Sequence, residues 1–583
     1  MRNHIGNIVT GSARRISRGI TVFLLFLAFV PAAFSQAIID YSAVHHPVAG
    51  REGMVVSQNY YASEIGAEIL RKGGNAVDAA VAVGFGLSVS LPRAGNLGGG
   101  GFMIVHLAKE NKTIAIDYRE KAPAAAHRDF FLDKDGNVDE SKSRYSLLSA
   151  GVPGTVAGLY HALEKYGTMS WDEVIKPAED LARKGITVSF DMAENLARRD
   201  RLRQNKETCR VYFKPGCVPY EAGETMVLKD LAETLKRLRK NGPEEFYTGR
   251  TAKLIVEEME RNGGRITLED LKAYNVRERE PVRGSFRGYE VISMPPPSSG
   301  GVHIVQMLNM LDKLPVADSG AGSALSVHYL TEIFKRAYAD RSKYLGDPDF
   351  ADVPVKGLTD PAYAAELAKQ IKACCVTPSS QILPGDPLPY ESPDTTHFSV
   401  MDKWGNAVVN TYTLNFSYGT GITVPGTGML INNEMDDFSA KPGVPNAFGL
   451  IGGEANAIEA GKRPLSSMTP TMVMKNGKPY LLTGSPGGSR IISTVFQLLV
   501  NVLVFDMNVA EATSRPRIHH QWLPDVLQME PGFSPDTVSV LRSMGYEIRK
   551  GWTMGSLQSI MYRDGVFLGA ADPRRPGARA VAP

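Results

Sequence analysis

Cysteine is scarce in this 583-residue chain, which has four, and so is tryptophan, also four. So few thiols exclude a disulfide-dense small-domain scaffold, and none of their spacings resembles a zinc site. Net charge is almost absent, because 65 Lys+Arg stand against 62 Asp+Glu for a formal +3. With no Lys/Arg stripe interleaved with aromatics, nucleic acid is excluded as a partner. Long apolar runs are missing from the body of the chain. Residues 491–505 are apolar, but the run is short and interrupted by Ser493, Thr494, Gln497 and Asn501. It suits a buried helix better than a bilayer span. What remains, 43% hydrophobic and 22% charged residues, describes a soluble globular body of several domains or one large layered domain.

The N-terminus is different. Arg14, Arg15 and Arg18 precede an apolar run from residue 20 to 30, and Pro31-Ala32-Ala33-Phe34-Ser35-Gln36 offers small residues to a signal peptidase. This is the pattern of an export signal over residues 1–35, with a retained anchor as the alternative. The mature protein is then periplasmic or secreted and not membrane-bound. In that compartment Cys209 and Cys217, flanking a short Pro-Gly loop, are the expected disulfide. Adjacent Cys374 and Cys375 can join each other only through a strained ring.

Helical patterns are predicted over residues 63–72, 75–86, 232–241, 251–262, 268–274 and 303–311. The run Gly98-Gly99-Gly100-Gly101 lacks a following Gly-Lys-Ser/Thr and leads into a strand, so it reads as a turn where backbones pass closely and not as a phosphate loop. Residues 377–394 carry Pro378, Pro384, Pro387, Pro389 and Pro393 among serines, the composition of an exposed connector. Beyond it the texture turns to sheet. Residues 398–402 and 407–414 flank a Lys-Trp-Gly-Asn turn, and residues 471–474 and 479–483 flank Asn476-Gly477, a two-residue hairpin signal.

The connector ends in "DTTHFSV", Asp394 to Val400. Two β-branched residues opening a strand are ordinary, but here they follow a connector and precede a hairpin in an exported chain. Were the Asp394–Thr395 bond cut, Thr395 would hold a free α-amine with a pKa of roughly 7.7 to 8.0, able to take the proton of its own hydroxyl. The hydroxyl can make that cut itself by attacking the Asp394 carbonyl, and the β-branch restricts χ1 so that the oxygen is aimed beforehand. The segment "TGSPGGSRI" follows a strand and opens a helix, which lets the Gly487 and Gly488 amides serve as donors to an oxyanion. His397, His519 and His520 show no metal spacing and read as satisfied structural histidines.

At these residues the sequence resembles the gamma-glutamyltranspeptidases, members of the N-terminal nucleophile hydrolases. The motifs that carry the resemblance are "PPPSSGG", "DTTHFSV", "NNEMDDFSAKPGVPN", "KRPLSSMTPT" and "TGSPGGSRI", and it extends from about Gly53 to Arg574. It implies an α+β fold, a four-layer αββα sandwich built jointly by two chains cut from one precursor, here residues 36–394 and 395–583. It implies Thr395 as nucleophile, Thr413 as the neighbour that positions it, and Gly487 and Gly488 as the oxyanion hole. It implies Arg119, in "DYREKAP", as the clamp on the substrate α-carboxylate with Ser466 and Ser467, and Asn415, Glu434 and Asp437 as acceptors of the α-ammonium. Read singly, Arg119 is a surface or salt-bridge arginine, Asp437 a turn cap and the serines the start of a strand.

The implied activity is transfer of the γ-glutamyl group of glutathione and related γ-glutamyl amides to water, amino acids or peptides, with no cofactor and no metal. A glutaryl (cephalosporin) acylase on the same scaffold and a self-cleaving secreted binding protein are the alternatives. Two departures from the family pattern stand out: Glu434 where some members have glutamine, and Phe448 in a lid-like segment where a tyrosine often sits. Thr395→Ala is expected to leave one uncut, inactive chain on a denaturing gel, and normal two-band processing of that variant would refute the nucleophile assignment.

Overall fold

Alternation along a few strands decides the layering. In Gly53–Ser57, Val55 faces one core while Met54 and Val56 face another; in Gly100–Leu107, Met103 and Val105 oppose Phe102 and Ile104 in the same way. A strand that is apolar on both faces must be covered on both, so its sheet lies inside the protein. The computed structural model describes residues 43–384, 394–441 and 453–583. The chain divides into Met1–His46 and Pro47–Pro583, and the architecture here is that of the second unit. The expected export signal, part of the connector and Phe448 lie outside the described residues.

The first sheet has seven strands in the order Arg579–Val581, Gly53–Ser57, Asp394–Asp402, Ala407–Asn415, Gly100–Leu107, Lys112–Tyr118 and Arg277–Arg279. The second also has seven, in the order Val48–Gly50, Val566–Ala571, Gln558–Arg563, Lys478–Thr483, Thr471–Lys475, Tyr289–Ser293 and Val282–Phe286. The sheets pack face to face, with Met401 and Val409 of the first in one core with Val473, Leu481 and Ile560 of the second, and with Ser399 Oγ donating to the Gln558 carbonyl at 2.9 Å. Helices cover the outer faces. Tyr60–Arg71 and Ala76–Ser90 lie on the first sheet, and Gly300–Leu311, Ala324–Tyr344 and Arg490–Leu503 on the second. This is the four-layer αββα sandwich the sequence implies.

Local chemistry explains the pieces. Every residue of Ala76–Ser90 is buried, as its unbroken small apolar composition requires. It is started by a capping box between Asn75 and Asp78. Asn476 and Gly477 both have positive φ, +51° and +74°, which the two-residue hairpin turn demands. The predicted helix over 63–72 starts earlier, at Tyr60, because the Asn59 side chain accepts from the Tyr61 N–H. The helix Ala324–Tyr344 has no apolar stripe to announce it; its buried Lys335 and Arg336 both pair with the buried Glu332.

Both cysteine pairs are bridged, Cys374 to Cys375 as well as Cys209 to Cys217. The start of the connector is exposed at Pro378, Ser380, Gln381 and Leu383, as its composition implies, whereas Ser379 and Ile382 are buried, and the Trp522 indole N–H donates to both of their carbonyls at 3.0 and 2.9 Å. A distant aromatic holds it, which local composition does not encode.

The glycine run is the close passage the sequence predicts. A Cβ on Gly99 would fall on the Thr413 carbonyl oxygen and the Asn96 side chain, and one on Gly101 would fall on Tyr412. Since overpacking of this kind costs about 1 to 3 kcal/mol, Gly99→Ala is expected to lower the urea midpoint of unfolding, and an unchanged midpoint would show that the passage has slack.

Candidate active site

Thr395 is the second residue of the central strand Asp394–Asp402 and is almost fully buried, at 7% exposure. The strand pairs antiparallel with Ala407–Asn415, and the register sets Thr395 opposite Thr413, with an irregularity that places Asp394 opposite Asn415. The other neighbour, Gly53–Ser57, begins to pair only at Phe398. Thr395 is therefore fixed on one side by a strand while its other side borders a cavity of about 160 Å³, which Gly487 also lines.

Thr413 is held from both ends. The Asn415 N–H donates to its Oγ1 at 2.8 Å, and Asn96 Nδ2 donates to its carbonyl at 2.8 Å. Asn415, in the left-handed region at φ +70°, donates its Nδ2 to the Asn433 carbonyl at 2.9 Å. That bond ties the strand end to the 3₁₀ turn Glu434–Asp437. Gly487 and Gly488, at φ +135° and +58°, form the bend into the helix Arg490–Leu503, and their carbonyls accept from the Arg490 and Ile491 N–H groups. Positive φ at both positions explains why glycine stands there.

Arg119 follows the strand Lys112–Tyr118 and is fully buried, which rules out the reading of a surface arginine. Its guanidinium pairs with Glu434 and Asp437, and its Nε donates to the Pro464 carbonyl at 3.1 Å. Ser466 and Ser467 follow two residues later. Their segment is clamped by the "PPPSSGG" turn, where the Ser466 N–H donates to the Pro297 carbonyl and Ser299 donates back to the Ser466 carbonyl. Arg341 spans both, donating to Ser299 Oγ at 2.9 Å and to Ser467 Oγ at 3.1 Å. The structure thus gathers all the sequence-predicted residues into two adjoining groups, one around Thr395 and one around Arg119.

Sequence reasoning passed over Glu120 and Asp436. Both are buried neighbours in sequence of predicted residues, and adjacency to Arg119 and Asp437 was the available signal. Glu120 lies 3.7 Å from Arg119. Neither Glu120 oxygen has a hydrogen-bond partner among the described residues, and neither does Glu434 Oε2. One guanidinium thus faces a surplus of carboxylates. Burial raises the Glu120 carboxyl to about 7 against the pull of Arg119. Burial also raises Glu434 well above the carboxylate range, and it raises Asp436, with help from the Asp437 charge, to about 7. Burial holds His397 and His519 down to about 3. His397 bonds to Thr411 and Ser399, and His519 to Ser493 and Gln521, so both are neutral structural groups. His520, lowered by burial, bonds to Asp525.

Comparison with known proteins identifies the family. The sequence profile of the gamma-glutamyltranspeptidase family fits residues 62–582. The glutathione hydrolase proenzyme of Escherichia coli (strain K12) is 54% identical over 534 residues, covering 91% of this chain and 92% of that protein. The crystal structure of a cephalosporin acylase from Bacillus halodurans superimposes with a TM-score of 0.82 at 26% identity, covering 94% of this chain and 99% of that one. A chain of Helicobacter pylori gamma-glutamyltranspeptidase, 48% identical, covers 56% of this chain and 93% of its own, with a TM-score of 0.55.

The raised carboxyls have a consequence for stability. Glu120 and Asp436 titrate near 7 in the folded protein against ordinary values of 4.5 and 3.8. The folded state therefore holds protons that the unfolded chain releases, and the stability these groups contribute is complete below their unfolded values and lost as the pH rises through about 7. Asp436→Asn is expected to flatten part of the fall in melting temperature of the ligand-free protein between about pH 5 and 7.5; an unaltered slope would show that Asp436 is not the group responsible.

Proposed function

The chain belongs to the gamma-glutamyltranspeptidase family, and from that premise we propose how its residues divide the work. It is a self-processing γ-glutamyl transferase and hydrolase of the N-terminal nucleophile type, made as a precursor and working as a two-subunit enzyme on small molecules. Our reading places the cut between Asp394 and Thr395, giving chains of residues 36–394 and 395–583, after export directed by residues 1–35. Among the described residues no helix is long and apolar enough to cross a membrane.

In this reading Thr395 Oγ attacks the Asp394 carbonyl, the acyl group passes from nitrogen to oxygen, and water hydrolyses the ester. The new α-amine then serves as base for the same hydroxyl, with a pKa of roughly 7.7 to 8.0 that leaves it partly neutral near physiological pH. Thr413, held opposite by Asn415 and Asn96, orients the nucleophile. The Gly487 and Gly488 amides donate to the tetrahedral oxyanion, where one such donor is worth roughly 2.7 to 4 kcal/mol of barrier.

The observation that carries the donor assignment is the single buried guanidinium among excess carboxylates. A γ-glutamyl head is a zwitterion. Its carboxylate takes Arg119, with Ser466 and Ser467 beside it, and its ammonium takes Glu434 and Asp437 with Asn415, so that ion pairs within the protein are exchanged for pairs with the substrate. The ammonium also supplies the second cation that the cluster around Glu120 and Glu434 lacks. Glutathione, a γ-glutamyl amide, fits as donor, and amino acids or peptides as acceptors. A glutaryl group has no ammonium, so it would leave Glu434 and Asp437 facing a methylene, at the cost of unpaired buried polar groups.

L-γ-glutamyl and glutaryl anilides discriminate these readings. The matured enzyme is expected to favour the γ-glutamyl compound by at least about a hundredfold in kcat/KM, in line with the penalty for leaving a buried charge without its partner. Comparable rates on both would assign the chain to acylase chemistry instead.

A further inference from the structure

The proposed exchange asks something of Arg119: its guanidinium must stay in place while the pairs with Glu434 and Asp437 give way to a substrate carboxylate. Other contacts remain to hold it. Nε donates to the Pro464 carbonyl at 3.1 Å and Nη2 to the Leu465 carbonyl at 3.3 Å. Along the backbone, the Arg119 N–H donates to Asp117 Oδ1 at 3.0 Å, and the Arg119 carbonyl accepts from the Tyr274 hydroxyl at 2.8 Å.

These contacts converge on one carboxylate. Asp117, near the end of the strand Lys112–Tyr118, is fully buried. Its Oδ1 also lies 3.4 Å from Arg463 Nε, and its Oδ2 accepts from Arg279 Nε at 2.8 Å. Arg279 reaches it because Arg277–Arg279 is the edge strand paired with Lys112–Tyr118. Arg463 immediately precedes Pro464 and Leu465, whose carbonyls receive the Arg119 guanidinium. It is held in turn by its N–H on Asp347 Oδ2 and by Nη2 on the Asn275 carbonyl, both at 2.8 Å. Asp117 therefore touches both halves of the clamp, the arginine itself and the segment on which its guanidinium rests. Charges in the protein interior interact at low dielectric, so a carboxylate set between two guanidinium groups keeps all three in register.

We propose that Asp117 is a positioning residue for donor recognition: through Arg463 and the Arg119 backbone it fixes where the Arg119 guanidinium meets the substrate α-carboxylate. The inference rests on that carboxylate being the ligand of Arg119. Asp117 acts from behind the clamp without touching substrate, and its two conceivable effects have opposite signs. As a bare negative charge it repels the substrate carboxylate, so removing the charge would tighten binding. As a positioning group it sets the direction of a bidentate pair, so removing it weakens binding, because a misplacement of about 1 Å costs on the order of a hundredfold. The second effect dominates here, since Asp117 is in direct contact with both parts that must stay aligned.

The test compares the matured wild-type enzyme and Asp117→Asn on two donors, L-γ-glutamyl-p-nitroanilide and the same anilide with its α-carboxylate converted to a carboxamide. Loss of charge-assisted hydrogen bonds to Arg119 predicts a wild-type preference for the acid of roughly tenfold to a hundredfold in kcat/KM. Asp117→Asn keeps the shape and one acceptor oxygen but removes the charge that holds Arg279 and Arg463. It is expected to cut the preference by at least about threefold, mainly through KM. The ratio is internal to each variant, so a general loss of stability or of maturation does not imitate the effect. Should Asp117→Asn fail to fold, Arg463→Lys decides: it keeps the charge and the backbone bond to Asp347, loses the planar fork, and is expected to cut the preference by a similar factor. A smaller change, or an increase, in the variant that decides would overturn the proposal, an increase showing that Asp117 acts only as a charge. A wild-type enzyme that turns over both donors alike would instead refute the carboxylate role of Arg119, and with it the underlying reading.

Discussion

The constraint on which the rest depends is that one segment, Asp394–Asp402, is at once an interior strand of the first sheet and the expected start of a chain. Interior strands hold their ends rigidly because both backbone edges are engaged. Here the engagement is graded: residues from Phe398 onward are paired on both sides, and Thr395 to His397 only with Ala407–Asn415. That grading gives Thr395 a fixed orientation relative to Thr413 and still leaves one flank open for chemistry. A fully paired Thr395 would be inaccessible, and an unpaired one would lack the alignment that raises effective concentration.

The second determinant is electrostatic. Burying Arg119 with Glu120, Glu434 and Asp437 sets one cation against several acids in the protein interior. Buried ion pairs contribute little net stability compared with apolar packing. In the proposed reading their value is in exchange, since a zwitterion can replace each internal partner with one of its own, and Glu434, where some family members have glutamine, adds a further acceptor for an ammonium. The Bacillus halodurans acylase shows that the sandwich itself does not choose the acyl group, for it superimposes over 94% of this chain. The proposed reading assigns that choice to the few groups around the guanidinium.

The scaffold supports both determinants through long-range polar contacts. The "PPPSSGG" turn, Arg341 and the Ser466-Ser467 segment form one connected set, so the segment that follows the Arg119 contact at Pro464 is fixed by residues from distant parts of the chain. Tyr274 adds a further tie by donating its hydroxyl to the Arg119 carbonyl at 2.8 Å. Trp522 and Asp525 likewise grip the chain at Ser379, upstream of Asp394.

The sequence by itself determined the layered class, the hairpins, the buried helices and the glycine passage, and it singled out Thr395 as the candidate nucleophile. Each of these is written in local periodicity, in turn residues whose φ only glycine or asparagine tolerates, or in long motifs such as "DTTHFSV" and "TGSPGGSRI". Tertiary structure alone decided which charges meet. Arg119 and Glu434 are 315 residues apart, Glu120 and Asp436 acquire their raised pKa values mainly through burial, and Cys374 bridges Cys375 although the two are adjacent. Nor did any pattern announce the helix Ala324–Tyr344, whose buried Lys335 and Arg336 pair with Glu332, or the cavity that opens where Gly53–Ser57 ends. Periodicity reports what a segment must bury, whereas electrostatic partnership depends on which segments arrive together, and that is a property of the packed fold.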